Sequence, residues 1–157
     1  MLPVKSVTAS IFVLKAADEV TQLLLLRRKG HLAGLWSQIA GEIKAGEKAW
    51  QTAIRAVYEV TGIALAEIWS TDIIEQFYEA DKECITLVPL FVSKVPADTA
   101  VRLNSAQDAC EWVSFEDAKR MLSFPAQRKA LAAVKAEFVD RAPSPHLRID
   151  MNGEGCP

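Results

Sequence analysis

GEIKAGEKAWQTAIRAVYEVTGI, residues 41–63, carries the clearest structural pattern in this chain. From position 47 to position 61 its apolar residues recur at helical spacing and form one face. The members of this face are Trp50, Ala53, Ile54 and Val57. Gly46 precedes the run and Gly62 follows it, where a glycine readily takes the left-handed conformation that ends many helices. The stretch therefore predicts a loop followed by one amphipathic helix.

A second set of residues in the same stretch, two glycines and three charged residues, has a spacing typical of sites that act on phosphate groups. They are Gly41, Glu47, Arg55, Glu59 and Gly62. A helix places positions 56, 59 and 60 on one face, because residues three and four apart are neighbours. Acids at all three positions would repel one another without a cation between them, and Mg²⁺ prefers such oxygen ligands. This chain keeps only Glu59, since Ala56 and Val60 have no ligand atom in their side chains.

Runs rich in apolar and β-branched residues surround this helix. They predict strands within residues 6–15, 20–29, 66–80, 83–95 and 108–115, and a brief strand within 34–43. Two more helices are expected within 114–122, which opens on Ser114 as a cap, and within 125–138, which opens on Pro125. The pattern predicts one mixed α/β or α+β domain over residues 1–140. Residues 141–157 are rich in Pro and Gly without periodicity, so we expect a flexible C-terminal tail.

The amino-acid composition indicates which kinds of binding partner and which cellular compartment to expect. With 157 residues the chain is long enough for one domain with a full core. A net charge of −2 gives no electrostatic reason to expect nucleic acid or an anionic membrane as a partner. We read neither a signal peptide nor a membrane span in the N-terminal residues. Three cysteines and two histidines, widely spread, show no zinc-site spacing, so we expect a reduced, cytoplasmic protein of undetermined oligomeric state.

Residues 41–63 resemble the Nudix box, the signature of the MutT-like Nudix hydrolase superfamily. The matching residues are Gly41, Glu47, Arg55, Val57, Glu59, Gly62 and Ile63, while Ala56 and Val60 replace two of the family's glutamates. The segments LAGLWSQIAGEIKAGEKAWQTAIR, LVPLFVSKV, LNSAQDACEWVSFEDA and FPAQRKAL resemble the branch of dATP and dihydroneopterin-triphosphate pyrophosphohydrolases. The resemblance implies an α/β/α sandwich with a mixed central sheet. It also implies a loop–helix–loop that holds a magnesium-bound diphosphate.

A third acid of the family pattern is also missing. The segment LNSAQDACEW has Ala106 and Gln107 where the resemblance implies Glu and His. Losses at three separate positions of one metal site indicate that the site has been given up or rebuilt, so we expect Mg²⁺ to bind weakly or not at all. Glu42, which stands beside the loop, is our candidate for a substitute ligand. Other acids that we considered are Asp108, Glu111, Glu75, Glu79 and Glu83.

The resemblance also assigns roles to individual residues. The candidate catalytic residues are Glu59, Arg55 and Glu47, of which Glu47 and Arg55 are expected to form an internal salt bridge. The candidate metal ligands are Glu59, the backbone carbonyl of Ala40, and Glu42. The candidate substrate-binding residues are Arg27, Arg28, Trp36 and Gly41. Strand alternation brings only one of the two arginines to the site. Trp36 lines a base pocket or serves another role, and Gly41 approaches the phosphate or only makes a turn.

Two hypotheses of function remain. In the first, the chain is a nucleoside-triphosphate pyrophosphohydrolase-like protein that is weak or inactive, because positions 56, 60 and 106 lack acids. In the second, it is a non-catalytic Nudix-fold protein that binds a nucleotide or regulates a partner. Both give it a small nucleotide or nucleotide-like diphosphate as its ligand. Gln127 and Arg128 carry no assigned role.

Overall fold

The computed structural model describes residues 1–105 and 107–152. The helix predicted from residues 41–63 is α1, Ala49–Thr61. It begins two residues later than its pattern predicts, because the preceding Lys48 is extended and its backbone N–H donates to Gln51 Oε1 at 2.9 Å. It ends at Gly62, whose φ of 74° is left-handed and whose N–H donates to the carbonyl of Tyr58.

Strands on both sides of α1 form one mixed sheet. In the described part of the chain they are β1 (Val4–Lys5), β2 (Thr8–Ala17), β3 (Val20–Arg28), β4 (Trp36–Ser37), β5 (Ile39–Glu42), β6 (Trp69–Glu79), β7 (Cys84–Val95) and β8 (Gln107–Ser114). β2 is central: it runs parallel to β7 and antiparallel to both β3 and β5. The first half of β2 pairs with β5 and its second half with β3. This arrangement leads β5 directly to the loop before α1.

Helices cover the sheet on two faces. α2 (Phe115–Met121) begins at Ser114, whose Oγ accepts a hydrogen bond from the Asp117 N–H at 3.1 Å. α3 (Pro125–Val134) continues into a π-helical turn, Lys135–Val139. Side chains alternate along β2, so Phe12 and Leu14 pack in the core with α2 and α3. Ile11 and Val13 pack in the core with α1. The predicted α/β/α sandwich with a mixed sheet is therefore confirmed.

The C-terminal segment that we expected to be a flexible tail contains structure up to residue 152. A 3₁₀-helix covers Pro145–Leu147, and the backbone N–H of Ile149 donates to the carbonyl of Ile68 at 3.1 Å. The Arg148 guanidinium lies 5.8 Å from the centre of the Trp69 ring. Residues 153–157 of the expected tail lie outside the described residues. Across residues 1–105 and 107–152, no helix is long and apolar enough to cross a membrane.

Candidate functional site

The loop between β5 and α1 is fastened to the helix by one arginine, Arg55. Its Nε donates to Glu47 Oε2 at 2.8 Å and its Nη2 to Glu47 Oε1 at 2.9 Å, which makes a two-pronged ion pair. Nη2 also donates to the backbone carbonyl of Glu42 at 2.8 Å, and Nη1 donates to Glu59 Oε2 at 3.2 Å. Arg55 thus ties together the end of β5, the loop and the next turn of α1.

Glu47 is held as an ionised carboxylate by its neighbours. Besides Arg55, it accepts hydrogen bonds from Thr52 Oγ1 at 2.5 Å and from the Lys44 N–H at 3.2 Å. The hydrogen bonds from Arg55 are the largest cause that lowers the pKa of Glu47 to about 2, and the bond from Thr52 adds to it. The same pairing raises the pKa of Arg55. The structure therefore brings the two residues together, and these contacts of the Glu47 carboxylate fasten the loop.

The helix face where the family has acids is mostly apolar. The Glu59 side chain is 51% exposed and bonds to Arg55. Ala56 is 3% exposed and belongs to the core beside α1. Val60 is half-buried, packs against the same core and lines the adjoining cleft. This face offers one carboxylate, and an arginine already engages it.

Gly41 allows β5 and α1 to approach closely. A Cβ added to Gly41 would lie 3.0 Å from Ala56 Cβ and 3.4 Å from Thr52 Cγ2, and the first distance is tighter than ordinary contacts. Gly41 is not among the glycines with positive φ, so its backbone does not need glycine for a turn. The close packing of strand on helix accounts for this glycine.

The end of β3 separates its two arginines. Arg27 Nε donates to Asp108 Oδ2 at 2.7 Å, and its guanidinium lies 5.8 Å from the centre of the Trp36 ring. Trp36 itself packs against the core under α2 and α3. Arg28 instead lines a cleft whose walls also include Ala40 and Val60. The structure therefore places Arg28 at the cleft, while Arg27 and Trp36 contact each other.

The residues around the loop do not fit a magnesium ion. The resemblance to the Nudix box implies a magnesium ion, and Mg²⁺ requires several oxygen ligands in near-octahedral geometry. Over residues 1–105 and 107–152, no three or more His, Cys, Asp or Glu side chains gather in a group that could hold a metal. Of the candidate ligands, Glu59 bonds to Arg55, Glu42 is exposed with its carbonyl bound to Arg55, and Ala40 offers only a carbonyl. Ala106 lies outside the described residues.

A cleft of about 1190 Å³ is lined by residues of β5, α1, β6 and α3. Its lining includes Arg28, Ala40 and Val60, and also Glu75, Gln38 and Gln127. Apolar and aromatic side chains form much of the remaining wall, and they include Leu26, Ile73, Phe77, Val88 and Phe124. A cleft with apolar walls and a few convergent polar groups is the usual form of a small-molecule site.

Glu75 is a buried acid inside this cleft, and sequence reasoning considered it only as a substitute metal ligand. It is 6% exposed, and its Oε1 accepts hydrogen bonds from Gln38 Nε2 at 2.6 Å and from Ser10 Oγ at 3.3 Å. Burial is the largest cause that raises the pKa of Glu75 to about 7, while the bonds from Ser10 and Gln38 act in the opposite direction. A buried acid with a raised pKa in a cleft is a typical mark of a functional site.

Gln38 is oriented by a second glutamine, Gln127 on α3. Gln127 Nε2 donates to Gln38 Oε1 at 3.1 Å, and Gln127 Oε1 accepts from the Phe124 N–H at 3.3 Å. Sequence reasoning gave neither glutamine a role. The signal that was available is an acid among the apolar residues of β6, but its partners are 37 and 65 residues away along the chain.

Comparison with known proteins establishes the family. Residues 4–140 match the model of the NUDIX domain, so this chain belongs to the Nudix family, as its resemblance to the Nudix box predicts. An octanoyltransferase of Myxococcus xanthus is 32% identical over 131 residues, which are 82% of this chain. The chain spans about a third of that relative's length, since the match covers 36% of it. The likeness therefore concerns one part of the relative.

Solved structures show the same fold. Ap4A hydrolase of C. elegans, in a binary complex, has a TM-score of 0.72 at 22% identity, with 82% of this chain and 94% of that chain covered. The dihydroneopterin triphosphate pyrophosphohydrolase of E. coli has a TM-score of 0.69 at 19% identity, with 85% and 96% covered. At these identities the likeness shows the fold, which this chain shares with a hydrolase and a pyrophosphohydrolase.

Proposed function

We propose that this protein binds the diphosphate of a small nucleotide or nucleotide-like ligand beside the β5–α1 loop, and hydrolyses it weakly or not at all. The observation that carries the proposal is the helix face of α1. Glu59 is its one carboxylate and bonds to Arg55, while Ala56 is buried and Val60 is apolar. The loop and helix that would position a diphosphate are in place, and positions 56 and 60 of α1 carry no carboxylate that could hold a metal over it.

Hydrolysis of a diphosphate depends on the metal-binding acids that positions 56 and 60 lack. Hydrolysis requires water to attack phosphorus while negative charge spreads over the phosphate oxygens. Magnesium, where a Nudix protein holds it, neutralises that charge and activates the water. Arg28 is our candidate for meeting phosphate charge, and Lys5, Lys82 and Lys129 also line the cleft. Such cations support binding of an anion, but they do not replace the metal that activates the water.

The alternative is a binding protein without catalysis, in which the cleft serves only to sense or carry its ligand. The ordered chain from Gln127 through Gln38 to Glu75 favours it, because this polar chain does not depend on the α1 acids. We also propose a reducing, cytoplasmic setting. Cys84 and Cys110, both in the described part of the chain, carry free thiols, which supports it. Neither nucleic acid nor a membrane is proposed as a partner, on the basis of the net charge of −2. The name of the M. xanthus relative is not extended to this chain.

Weak metal binding is the first expected outcome. A site with a millimolar dissociation constant contributes only about 0.4 kcal/mol to the free energy of unfolding at roughly 1 mM Mg²⁺, because stabilisation follows RT ln(1 + [L]/Kd). Thermal melts with MgCl₂ should match melts with NaCl at equal ionic strength. A rise of several degrees that is specific to Mg²⁺ would mean that other groups complete a metal site.

Restoring the acids tests the proposal itself. The triple variant Ala56→Glu, Val60→Glu, Ala106→Glu places acids at i, i+3 and i+4 of α1 together with Glu59. We expect little hydrolysis by the native chain, little by any single variant, and measurable Mg²⁺-dependent release of phosphate or pyrophosphate by the triple. Groups that act as one unit give such non-additive effects.

The matched control carries Gln at the same three positions. It reproduces the added bulk next to Gly41 without the charge, so it separates packing from metal binding. The assay uses a panel of nucleoside triphosphates together with dihydroneopterin triphosphate, the substrate named for the E. coli pyrophosphohydrolase that serves as the active reference. If the native chain is as fast as this reference, the proposal of a weak or silent site is wrong. If the acidic triple folds and binds Mg²⁺ yet stays inactive, the purely binding alternative gains.

A further inference from the structure

The carboxyl group of Glu75 has one oxygen engaged and one that faces the cleft. Oε1 accepts from both Gln38 and Ser10. Oε2 has no hydrogen-bond partner among the described residues, yet no fully buried side-chain oxygen or nitrogen there is left unsatisfied. Oε2 must therefore be reachable from the cleft that Glu75 lines. A side chain that is 94% buried thus presents one unpaired polar atom to a ligand space.

The direction of the hydrogen bonds that run from Phe124 through Gln127 and Gln38 to Glu75 is fixed by Phe124. The Phe124 backbone N–H can only donate, so it holds Gln127 with Oε1 towards itself and Nε2 towards Gln38. Gln38 must then accept at Oε1 and donate from Nε2 to Glu75. Because Ser10 also donates to Oε1, the proton of a neutral Glu75 belongs on Oε2. The free oxygen is therefore an acceptor when Glu75 is ionised.

We infer that the side chains of Gln127, Gln38 and Glu75 recognise the heterocyclic ring of the ligand. Glu75 Oε2 accepts hydrogen bonds from a ring N–H and from the exocyclic amino group beside it, a pair of donors that guanine presents. The inference rests on the proposed function and names the class of ligand that the cleft selects. Adenine presents an unprotonated ring nitrogen next to its amino group. The amino group of adenine can donate one hydrogen bond to the ionised Oε2, but its ring nitrogen has no proton to donate and turns a lone pair towards the carboxylate. Guanine donates from both its ring N–H and its amino group, and these bonds to an ionised carboxylate are charge-assisted.

The size and walls of the cleft agree with this assignment. Gln38 precedes Ala40, which also lines the cleft, by two residues in an extended segment, so the two backbones lie roughly 7 Å apart. A nucleotide spans that distance. Phe124, which is 45% exposed, and Phe77, which is 37% exposed, line the cleft and offer aromatic surface on which a ring can stack.

Binding of nucleoside diphosphates tests the inference. Isothermal titration calorimetry without added metal would compare GDP, IDP and ADP, with inorganic pyrophosphate as a probe that lacks the ring. IDP keeps the ring N–H and lacks the exocyclic amino group. We expect affinity to fall in the order GDP, IDP, ADP, with GDP tighter than ADP by roughly tenfold or more, because charge-assisted hydrogen bonds are involved.

Two variants attribute the preference to the named residues. Glu75→Gln keeps the shape but places an N–H₂ group or a neutral oxygen at the cleft, so the GDP-to-ADP ratio should fall towards one. Gln127→Ala frees Gln38 from its fixed orientation and should reduce the ratio partly, which keeps the test open if the Glu75 variant folds poorly. Asp81→Asn is the matched control: it removes one negative charge at the rim of the same cleft and should keep the preference.

The outcomes separate this inference from the proposed function. If GDP and pyrophosphate both fail to bind, the proposed function fails, and the inference fails with it. If they bind but ADP binds as tightly as GDP, the inference is wrong and the proposed function stands. The inference is equally wrong if a folded Glu75→Gln protein keeps the full preference for GDP.

Discussion

Replacing Glu75 with Gln should change how the stability of the protein depends on pH. Burial raises the pKa of Glu75 from 4.5 to about 7 in the folded protein. Between these two values the folded chain retains a proton that the unfolded chain releases, so the free energy of unfolding falls as the pH rises. Glu75→Gln has no proton to release and keeps the polar contact with Gln38. The free energy of unfolding of the variant should therefore not show this fall as the pH rises.

The magnitude follows from the shift. A difference of about 2.5 pH units, at about 1.4 kcal/mol for each, amounts to roughly 3 kcal/mol once Glu75 is ionised in both states. Between about pH 5.5 and about pH 8, roughly 2 kcal/mol of this would be lost. Glu47 does not contribute there, because its pKa is lowered to about 2 and its stabilisation is lost only as the pH falls below about 4.5. Other titrating groups are common to both proteins and cancel in the difference.

Urea unfolding followed by tryptophan fluorescence at several pH values would measure the effect in both proteins. The quantity of interest is the difference in unfolding free energy between Glu75→Gln and the native chain, which should grow in favour of the variant as the pH rises. A constant offset caused by altered packing does not affect this slope. If the free energies of unfolding of the two proteins ran parallel from about pH 5.5 to about pH 8, this prediction would be wrong, because burial would then not penalise the ionised Glu75 carboxylate.

Three further outcomes are expected. Glu47→Gln should lower the midpoint of urea unfolding more than Glu59→Gln does, because the Glu47 side chain is 16% exposed and that of Glu59 is 51% exposed; equal, small shifts would contradict a structural role for Glu47. The native protein should also lose more stability than Glu47→Gln as the pH falls from about 4.5 towards 2. Gly41→Ala should cost about 1–3 kcal/mol through overpacking and less in an Ala56→Gly background, where the facing Cβ is absent; a double-mutant cycle without coupling would place the cause elsewhere.

The sequence predicts the fold well because its strongest patterns are local. The apolar face of α1 and the glycine that ends it lie within one short stretch, and the paired β-rich runs on either side require a sheet. Element ends are less well predicted, since they depend on individual contacts. The start of α1 moves to Ala49 because Lys48 is extended and its backbone N–H bonds to Gln51 Oε1. No periodicity in the sequence contains that information.

The cleft could be predicted only in part. The loop before α1 follows a recognisable spacing, and the ion pair that this spacing predicts between Glu47 and Arg55 is observed. The cleft wall joins Glu75, Gln38 and Gln127 through contacts between residues 37 and 89 positions apart. Two glutamines and one glutamate in separate segments have no spacing that connects them. Their relation appears only when the sheet brings β6, the residue before β5 and α3 together.

The three attachments of Arg55 mean that the shape of the loop and its chemistry are encoded separately. Arg55 grips a carboxylate within the loop, the last carbonyl of β5 and a carboxylate one turn further along α1. None of these attachments uses position 56 or 60. Acids at those two positions can be exchanged for apolar residues while the loop keeps its conformation. Metal ligands can therefore be lost during evolution without loss of the ligand-binding loop, and they can be regained by side-chain substitution without a change of backbone.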